Sequence, residues 1–394
     1  MDRTDKSNLL EIYIHIPFCV KKCNYCDFLS APCTREQQDA YMAALFAEIE
    51  GWAQEYGEYT VTSVFIGGGT PSVVDAGRIA GLMDLIRLKF AVAEDAEISI
   101  EVNPGTADRE KLQRYYDAGI NRLSIGLQSA KDDELKMLGR IHTYEQFEET
   151  YTAARNVGFT NINVDVMSAL PGQTLESYRE TLYRILQLTP IPEHISAYSL
   201  IVEEGTPFAR WQQEGRLDLP DEDCERNMYE ETKRILGEAG FHRYEISNYA
   251  REGYECRHNL GYWKRTDYVG FGIGAASLIH NERFHNDSDF GQYLKNPLDC
   301  RCDLQKLSVK DQMEETMFLG LRMTAGVSAE AFAEMYHMTL EEVYGEVIRK
   351  NLHNGLLMYR RVNGTASEKQ YLALTEKGLD VSNYVMSLFL FDEE

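Results

Sequence analysis

The sequence has few basic residues and no long apolar run. Its 40 Lys and Arg stand against 63 Asp and Glu, and the formal charge of -23 repels nucleic acid and anionic membrane surfaces. No apolar run approaches the roughly 20 residues that a bilayer-spanning helix needs, and residues 1 to 11 lack the apolar segment of a signal peptide. We therefore expect a cytoplasmic globular protein that binds no nucleic acid. A peripheral membrane contact and a homodimer stay open.

Cysteines are also few, but three of the eight are close together. Cytoplasmic thiols are normally reduced, so this group suggests a metal or redox site rather than disulfides. A structural zinc ion takes four ligands, and His15 or Asp27 would have to supply the fourth from an awkward position. An iron-sulfur cube held by Cys19, Cys23 and Cys26 would leave one iron open for a small chelating molecule. Spacing alone leaves three alternatives, namely the cube, zinc and three unpaired buried thiols. Three later cysteines are interpreted as incidental thiols, namely Cys256, Cys300 and Cys302.

Strand-like runs alternate with amphipathic helical runs through the first 200 residues. This rhythm is typical of repeated βα units. Three helical runs end in a glycine followed by an apolar residue, which predicts left-handed C-caps at Gly119, Gly158 and Gly240. The predicted strands are 10–17, 61–69, 96–104, 122–129, 161–172 and 194–202.

Three of these strands alternate apolar and polar residues, so one face of the sheet is polar. A closed eight-stranded barrel fills its interior with Val, Ile and Leu, whereas a polar interior predicts a shorter, open barrel whose lumen holds a polar ligand. Ligands of such folds bind at the carboxyl ends of the strands. The three cysteines, the glycine run 67–70, Glu101 and Gln128 are predicted to meet at that end.

The composition changes near residue 290, which predicts a first domain of residues 1–290 and a second of residues 291–394. The second domain is predicted to be small and helical, of helix-turn-helix or winged type. A DNA-binding regulator is one interpretation of that pattern. However, residues 303 to 394 carry nine Lys or Arg against fifteen Asp or Glu, which is not the charge balance of a phosphate-binding surface. We interpret this part as a lid or packing module.

The spacing C-x3-C-x2-C with an aromatic residue before the third cysteine, here Tyr25, resembles the signature of radical S-adenosylmethionine (SAM) enzymes. The flanking sequence YIHIPFC resembles the branch similar to coproporphyrinogen III oxidase, and the resemblance covers nearly the whole chain. It implies an α/β fold, an open partial (β/α)6 TIM-like barrel. It also implies that Cys19, Cys23 and Cys26 hold a [4Fe-4S] cluster whose open iron is chelated by the amino and carboxylate groups of SAM. One-electron reduction in this family cleaves SAM to methionine and a 5′-deoxyadenosyl radical.

The same resemblance implies a SAM site. The run GGGTP, residues 67–71, resembles the glycine loop that lies along the methionine part of SAM, and glycines after a strand permit a close approach of the backbone. Glu101 resembles the acid that accepts hydrogen bonds from the ribose, and the guanidinium of Arg140 suits a carboxylate. Each polar residue alone is equally well explained as an ordinary hydrogen-bonding residue at a strand end. The expected contacts are Tyr13, Tyr25, Gly68, Gly69, Thr70, Glu101, Gln128, Arg140 and Asp165.

Two features separate the chain from the oxidases of this branch. The oxidases carry another cysteine two residues after the third, where this chain has Phe28, and a long arm before the motif, where this chain has twelve residues before Tyr13. The run HNLGYW, residues 258–263, resembles instead the H-N-x-x-Y-W motif of the heme chaperones of this branch, which pass heme to respiratory hemoproteins. We therefore expect a heme chaperone without coproporphyrinogen oxidase activity. Oxygen-independent coproporphyrinogen III oxidase is the alternative.

A heme site is expected at this motif. A neutral imidazole at His258 suits axial iron, and Tyr262 with Trp263 could stack on a flat macrocycle. The stretch 251–265 holds four basic residues against two acidic ones, which could meet the heme propionates. The alternative is that the motif forms a hydrogen-bonded corner of the barrel.

Overall fold

A twelve-stranded sheet forms the larger part of the computed structural model, which describes residues 8–363 and 368–391. No helix in these two ranges combines the length and apolar character that a bilayer crossing requires. The strands are β1 Leu9–Ile16, β2 Thr60–Gly68, β3 Ala91–Val102, β4 Arg122–Gln128, β5 Ile162–Ser168, β6 His194–Ser199, β7 His242–Arg243, β8 Asn248–Ala250, β9 Tyr268–Phe271, β10 Ala276–Ile279, β11 Glu282–Asn286, β12 Arg301–Lys306, β13 Val327–Ser328, β14 Leu357–Asn363 and β15 Glu368–Leu374. The helices are α1 Arg35–Trp52, α2 Ala76–Lys89, α3 Arg109–Asp117, α4 Asp132–Met137, α5 Tyr144–Val157, α6 Leu175–Leu186, α7 Pro207–Gln213, α8 Glu222–Glu238, α9 Arg257–Trp263, α10 Phe290–Lys295, α11 Val309–Gly320, α12 Ala329–Tyr336, α13 Leu340–His353, α14 Glu376–Asp380 and α15 Ser382–Ser387.

The six predicted strands are all present as β1 to β6. They pair in chain order as parallel neighbours, and each is followed by one or two helices. Strand β9 adds in parallel beside β1, the antiparallel strands β10 to β12 extend that edge, and β8 and β7 extend the other. The edge strands β12 and β7 are not paired with each other, so the barrel is open across the residues that the structure describes. The prediction of an open (β/α)6 partial barrel is confirmed.

The sheet packs against its helices through an apolar layer. Ile12, Ile100, Leu123 and Val164 are fully buried there, whereas the alternate positions of the same strands carry polar side chains. Burying one such aliphatic side chain contributes about 1.5 to 3 kcal/mol, so the alternation fixes which face of each strand packs against the helices. The polar face that remains lines the interior of the open barrel.

Helix ends follow the capping rules that the sequence suggested. Gly119, Gly158 and Gly240 have φ angles of +77°, +121° and +85°, so the predicted left-handed positions are confirmed. Thr34 and Thr143 begin α1 and α5 with capping boxes, each contribution being about 1 kcal/mol. The threonine caps set where these helices begin, and the left-handed glycines set where the helices before them end.

The C-terminal part has its own apolar core, between α11 to α15 and the three-stranded antiparallel sheet β13-β15-β14. The hairpin β14-β15 after α13 agrees with the predicted winged type. Arg226 pairs with Asp380 at 2.7 Å, and Thr324 N donates to Tyr244 O at 3.0 Å, so this part packs on the barrel. The large sheet continues to Lys306, beyond the composition change near residue 290.

Candidate functional site

The predicted SAM and cluster residues meet at the carboxyl ends of the parallel strands. The loop that carries the three cysteines follows β1, the glycine run begins in the last two residues of β2, and Glu101, Gln128 and Asp165 lie on β3, β4 and β5. Parallel strands in register present their carboxyl ends at one rim, which is why residues as distant in sequence as Tyr25 and Asp165 come together.

The cysteine loop is irregular but anchored at several points. Its two ends are joined where Cys19 N donates to Ala31 O at 3.1 Å. Asn24, which the sequence did not single out, donates from its backbone to Leu138 O at 2.9 Å and from its side chain to Met137 O at 2.8 Å. These bonds hold the loop against the turn after α4.

The three thiols are free and half-buried in this loop. Burial, followed by the neighbouring thiols of Cys23 and Cys19, raises the pKa of Cys26. The Thr70 hydroxyl lies 3.6 Å from the Cys19 sulfur, and Arg140 Nη1 lies 3.9 Å from the Cys23 sulfur. Thiolates on one loop are stable together when a cationic centre compensates their charge, and a set of three cysteine sulfurs fits an iron-sulfur cluster with one open iron.

The glycine run packs so tightly that side chains are excluded. Gly68 has a φ of +116°, and a Cβ placed there would lie 2.6 Å from the His15 ring. A Cβ on Gly69 would lie 2.7 Å from Phe18 O. Glycine therefore lets the backbone after β2 approach both the cysteine loop and the interior of the barrel.

Acidic side chains form the floor of the site. Gly68 N donates to Glu101 Oε2 at 3.1 Å, and burial together with the nearby Asp165 carboxylate raises the pKa of Glu101 to about 8. Asp165 accepts from Asn163 Nδ2 at 2.7 Å and from Ser124 Oγ at 3.3 Å, while burial raises its pKa. A ligand that donates hydrogen bonds would stabilise both carboxylates.

Gln128 carries a buried acceptor without a partner. The residue is 7% exposed, has a φ of 65°, and its Oε1 makes no hydrogen bond. An unpaired buried polar atom costs about 1 to 3 kcal/mol, so its retention at a strand end points to a ligand donor. This observation favours the predicted binding role over an ordinary structural one.

Arg140 is fixed by hydrogen bonds rather than free. Its Nη2 donates to Asn103 Oδ1 at 2.7 Å and to Gly126 O at 2.8 Å, and Asn103 Nδ2 donates to Thr70 Oγ1 at 2.7 Å. A small cavity between Cys23, Thr70, Asn103 and Arg140 adjoins this network. Asn103 is therefore a site residue that the sequence interpretation missed, although it directly follows β3 and continues its polar alternation.

The two predicted aromatic contacts have different surroundings. Tyr13 OH hydrogen-bonds His15 Nδ1 at 3.0 Å, and its ring lies 6.4 Å from that of Phe65. Tyr25 packs against the small apolar cluster of residues 138–217 and next to Arg140, and burial raises its pKa. Burial and then Glu101 raise the pKa of Tyr13 as well, so both tyrosines are neutral phenols.

A cavity of about 670 Å³ extends from this rim toward β9 and β10. Gly68, Glu101, Tyr262 and Trp263 are among the residues that border it. Phe28, which is 62% exposed, also borders it. The volume lies within the range of pockets that hold small molecules and cofactors.

His258 lies behind Tyr262 rather than on the cavity wall. It is 2% exposed, its Nδ1 is 2.8 Å from Ser63 Oγ, and its Nε2 is 3.1 Å from the Tyr262 hydroxyl. Burial and then Arg122 lower the pKa of His258 to about 3, so the imidazole is neutral. The motif is thus a hydrogen-bonded corner with two aromatic side chains, Tyr262 and Trp263, facing the cavity.

The four basic residues of 251–265 do not line this cavity. Arg265 is paired with Glu315 at 2.9 Å, and Arg257 is paired with Asp95 at 3.1 Å. The cation on the cavity wall is Arg283, which is 2.7 Å from Glu315. The cavity wall therefore carries an arginine from β11, which sequence proximity could not reveal, and none of the four basic residues of 251–265.

Comparisons with known proteins agree with this geometry. The family model described as Radical SAM superfamily matches residues 13–185, and the HemN C-terminal domain matches residues 307–381. The chain is 37% identical to "Heme chaperone HemW" of Lactococcus lactis, covering 97% of both proteins, and 38% identical to "Heme chaperone HemW" of Bacillus subtilis, covering 96% of this chain and 98% of that protein. The solved structure of coproporphyrinogen III oxidase (HemN) from Escherichia coli is 25% identical with a TM-score of 0.82, over 98% of this chain and 91% of that one.

Proposed function

Because this chain belongs to the radical SAM superfamily, in the family whose relatives are named heme chaperone HemW, we propose that it binds heme beside a [4Fe-4S] cluster and SAM. We further propose that it passes the heme to respiratory hemoproteins. One observation supports this most directly, namely that a single cavity of about 670 Å³ borders both Glu101 and the pair Tyr262 and Trp263. A cofactor at the strand ends and a macrocycle against these aromatic rings would therefore be neighbours.

The polar residues at the rim have separate roles in this proposal. Cys19, Cys23 and Cys26 would hold the cluster, and the bound cluster with SAM would supply one-electron chemistry. Glu101 and Asp165 would accept hydrogen bonds from the ribose of SAM, and Gln128 Oε1 would gain the donor that it lacks. The remaining proposed SAM contacts are Tyr13, Tyr25, Gly68, Gly69, Thr70 and Arg140.

His258 is the proposed iron ligand of the heme. Its Nε2 is 3.1 Å from the Tyr262 hydroxyl, and Tyr262 itself borders the cavity, so a movement of that one ring would uncover Nε2 toward the cavity. A neutral imidazole is the form that coordinates iron, and burial keeps His258 neutral. Arg283 lies where a propionate could reach it.

The alternative function is that of an oxygen-independent coproporphyrinogen III oxidase. The fold similarity to the Escherichia coli enzyme favours it. Phe28 argues against it, because an exposed apolar side chain borders the cavity at the position where the oxidases carry a further cysteine. Decarboxylation of coproporphyrinogen III with SAM and a reductant distinguishes the two, and we expect none.

The heme test compares two variants, each of which removes one partner of the hydrogen bond between His258 and Tyr262. We expect wild-type protein to bind heme with a shifted Soret band and His258→Ala to lose affinity by about tenfold or more, with a change in the axial-ligand spectrum. Tyr262→Phe frees Nε2 from a bond of about 1 kcal/mol, so its heme affinity should be retained or rise up to about fivefold. His280→Ala, an exposed histidine near Tyr59, is the control.

Two outcomes would contradict this assignment. If His258→Ala and Tyr262→Phe weaken heme binding equally and leave the ligand spectrum unchanged, His258 only orients Tyr262. If His258→Ala binds heme as the wild type does, another residue such as His280 or His285 ligates the iron. Catalytic formation of protoporphyrinogen IX by the wild-type protein would establish the oxidase instead.

A further inference from the structure

The hairpin of β11 and β12 carries a histidine, a cysteine and an aspartate whose ligand atoms lie close together. One donor atom each of His285, Cys302 and Asp303 lies within 4.8 Å of the others. His285 Nε2 is 2.8 Å from Asp303 Oδ2, and the Cys302 sulfur is 3.3 Å from His285 Nδ1 and 3.7 Å from Nε2. These residues belong neither to the cysteine loop after β1 nor to the lining of the large cavity.

The backbone of β12 is irregular where Cys302 and Asp303 lie next to His285. Arg283 pairs with Gln305, but His285 pairs with Cys302, so three residues of β12 span the distance that two residues of β11 span. Asp303 takes up the extra length with a φ of 52°. In a regular strand Cys302 and Asp303 would point to opposite faces, whereas a bulge turns consecutive side chains toward the same ligand space.

The imidazole of His285 is oriented for coordination by a second hydrogen bond. Its Nδ1 lies 2.9 Å from Asn286 O, which accepts an N–H and so places the lone pair of a neutral ring on Nε2. Metal-binding histidines commonly donate their other ring nitrogen to a backbone carbonyl in this way. Nε2 then faces the Asp303 carboxylate, so either a proton or a metal ion must lie between the two.

We propose that His285, Cys302 and Asp303 form a binding site for Zn²⁺ or a similar borderline divalent ion. Imidazole, thiolate and carboxylate together suit zinc, whereas Mg²⁺ and Ca²⁺ take oxygen ligands alone. With bonds of about 2.0 to 2.3 Å, the ligand atoms of a tetrahedral zinc ion are about 3.3 to 3.8 Å apart. The Nε2–Oδ2 distance of 2.8 Å must therefore widen slightly, and the Cys302 side chain must rotate from its place 3.3 Å from Nδ1 toward Nε2. Three protein ligands leave a fourth position for water.

The position of the site suggests what the ion would stabilise. β12 is the outermost strand of the sheet, and His285 pairs with Ala276, which lines the large cavity two residue pairs from Arg283. An ion bound to His285 on β11 and to Cys302 and Asp303 on β12 would link the outermost strand to its neighbour. Amide exchange in 282–286 and 301–306 should therefore slow when the ion binds.

The test uses the anaerobically purified full chain with its cluster reconstituted. After equilibration with Zn²⁺ and removal of free metal, we expect one zinc per chain with no loss of iron or sulfide, and slower amide exchange on β11 and β12. His285→Ala and Cys302→Ser should each weaken zinc binding by about tenfold or more. Matched controls are His242→Ala, which removes the exposed histidine paired with Glu255 at 2.7 Å, and Cys224→Ser, and both should bind zinc as the wild type does.

Several results would overturn the proposal. Zinc taken up only at the expense of iron, and lost in Cys23→Ala, would place the ion at the three-cysteine site. Equal zinc affinity in His285→Ala, Cys302→Ser and the controls would place it elsewhere. Absence of zinc binding together with an altered heme-ligand spectrum in His285→Ala would make this histidine a heme ligand instead.

Discussion

The unpaired acceptor of Gln128 makes a prediction in which stability and binding change in opposite directions. Gln128→Met keeps an unbranched side chain of similar length in the same backbone conformation but removes the buried Oε1. Because that atom has no hydrogen-bond partner, its removal costs no bond and relieves about 1 to 3 kcal/mol of desolvation. We expect the free energy of unfolding of the SAM-free protein to stay unchanged or to rise by that amount. SAM affinity should fall by about tenfold, which corresponds to about 1.4 kcal/mol.

A second glutamine provides the matched control. Gln173 is also buried, but its Oε1 accepts from Leu170 N at 3.2 Å and its Nε2 donates to Glu134 Oε2 at 3.0 Å. Gln173→Met should therefore destabilise the protein by about 1 to 3 kcal/mol while leaving SAM affinity unchanged in the folded fraction. Urea unfolding and equilibrium dialysis with SAM measure the two quantities.

The reasoning fails if the two glutamines behave alike. Destabilisation by Gln128→Met comparable to that of Gln173→Met would mean that Oε1 has a structural partner in solution. Wild-type SAM affinity in Gln128→Met, with stability raised, would mean that the atom faces something other than SAM.

Two further predictions concern the cluster and the pH dependence of stability. Cys23→Ala should lose the reconstituted cluster, about four irons per chain, whereas Cys224→Ser should keep it; iron analysis decides, and full iron retention in Cys23→Ala would reject the ligand set. Burial raises the pKa of Glu48 to about 7, against hydrogen bonds from Tyr293 and Gly272. The folded protein therefore holds this proton more tightly than the unfolded chain does. The contribution of Glu48 to the free energy of unfolding is full at low pH and is lost as the pH rises toward 7. This loss amounts to about 3 kcal/mol between pH 4 and 8. Over that range the free energy of unfolding of Glu48→Gln, measured with urea, should fall by about 3 kcal/mol less than that of the wild type. Parallel pH profiles of the two proteins would contradict the assignment.

The sequence predicted the barrel strands because both faces of the sheet appear in it as a pattern of alternating residues. Apolar alternation marked the helix-facing side of β3 to β5, and the polar alternate positions marked the interior that holds Glu101 and Asp165. Strands β9 to β12 left a weaker signal, since β9 is four residues long and β12 is largely exposed at the edge of the sheet. Their addition beside β1 was therefore not anticipated, and Arg283 was missed with them.

What the sequence determined by itself is the chemistry that depends on local spacing. Three cysteines within eight residues, a glycine run after a strand and polar residues of fixed parity need no distant partner to be recognised. Tertiary structure alone decided which of these groups are already satisfied. It paired Arg265 with Glu315, placed His258 between Ser63 and Tyr262, and left Gln128 Oε1 without a donor. Hydrogen bonding and desolvation depend on neighbours brought together across the sheet, and sequence spacing does not contain that information.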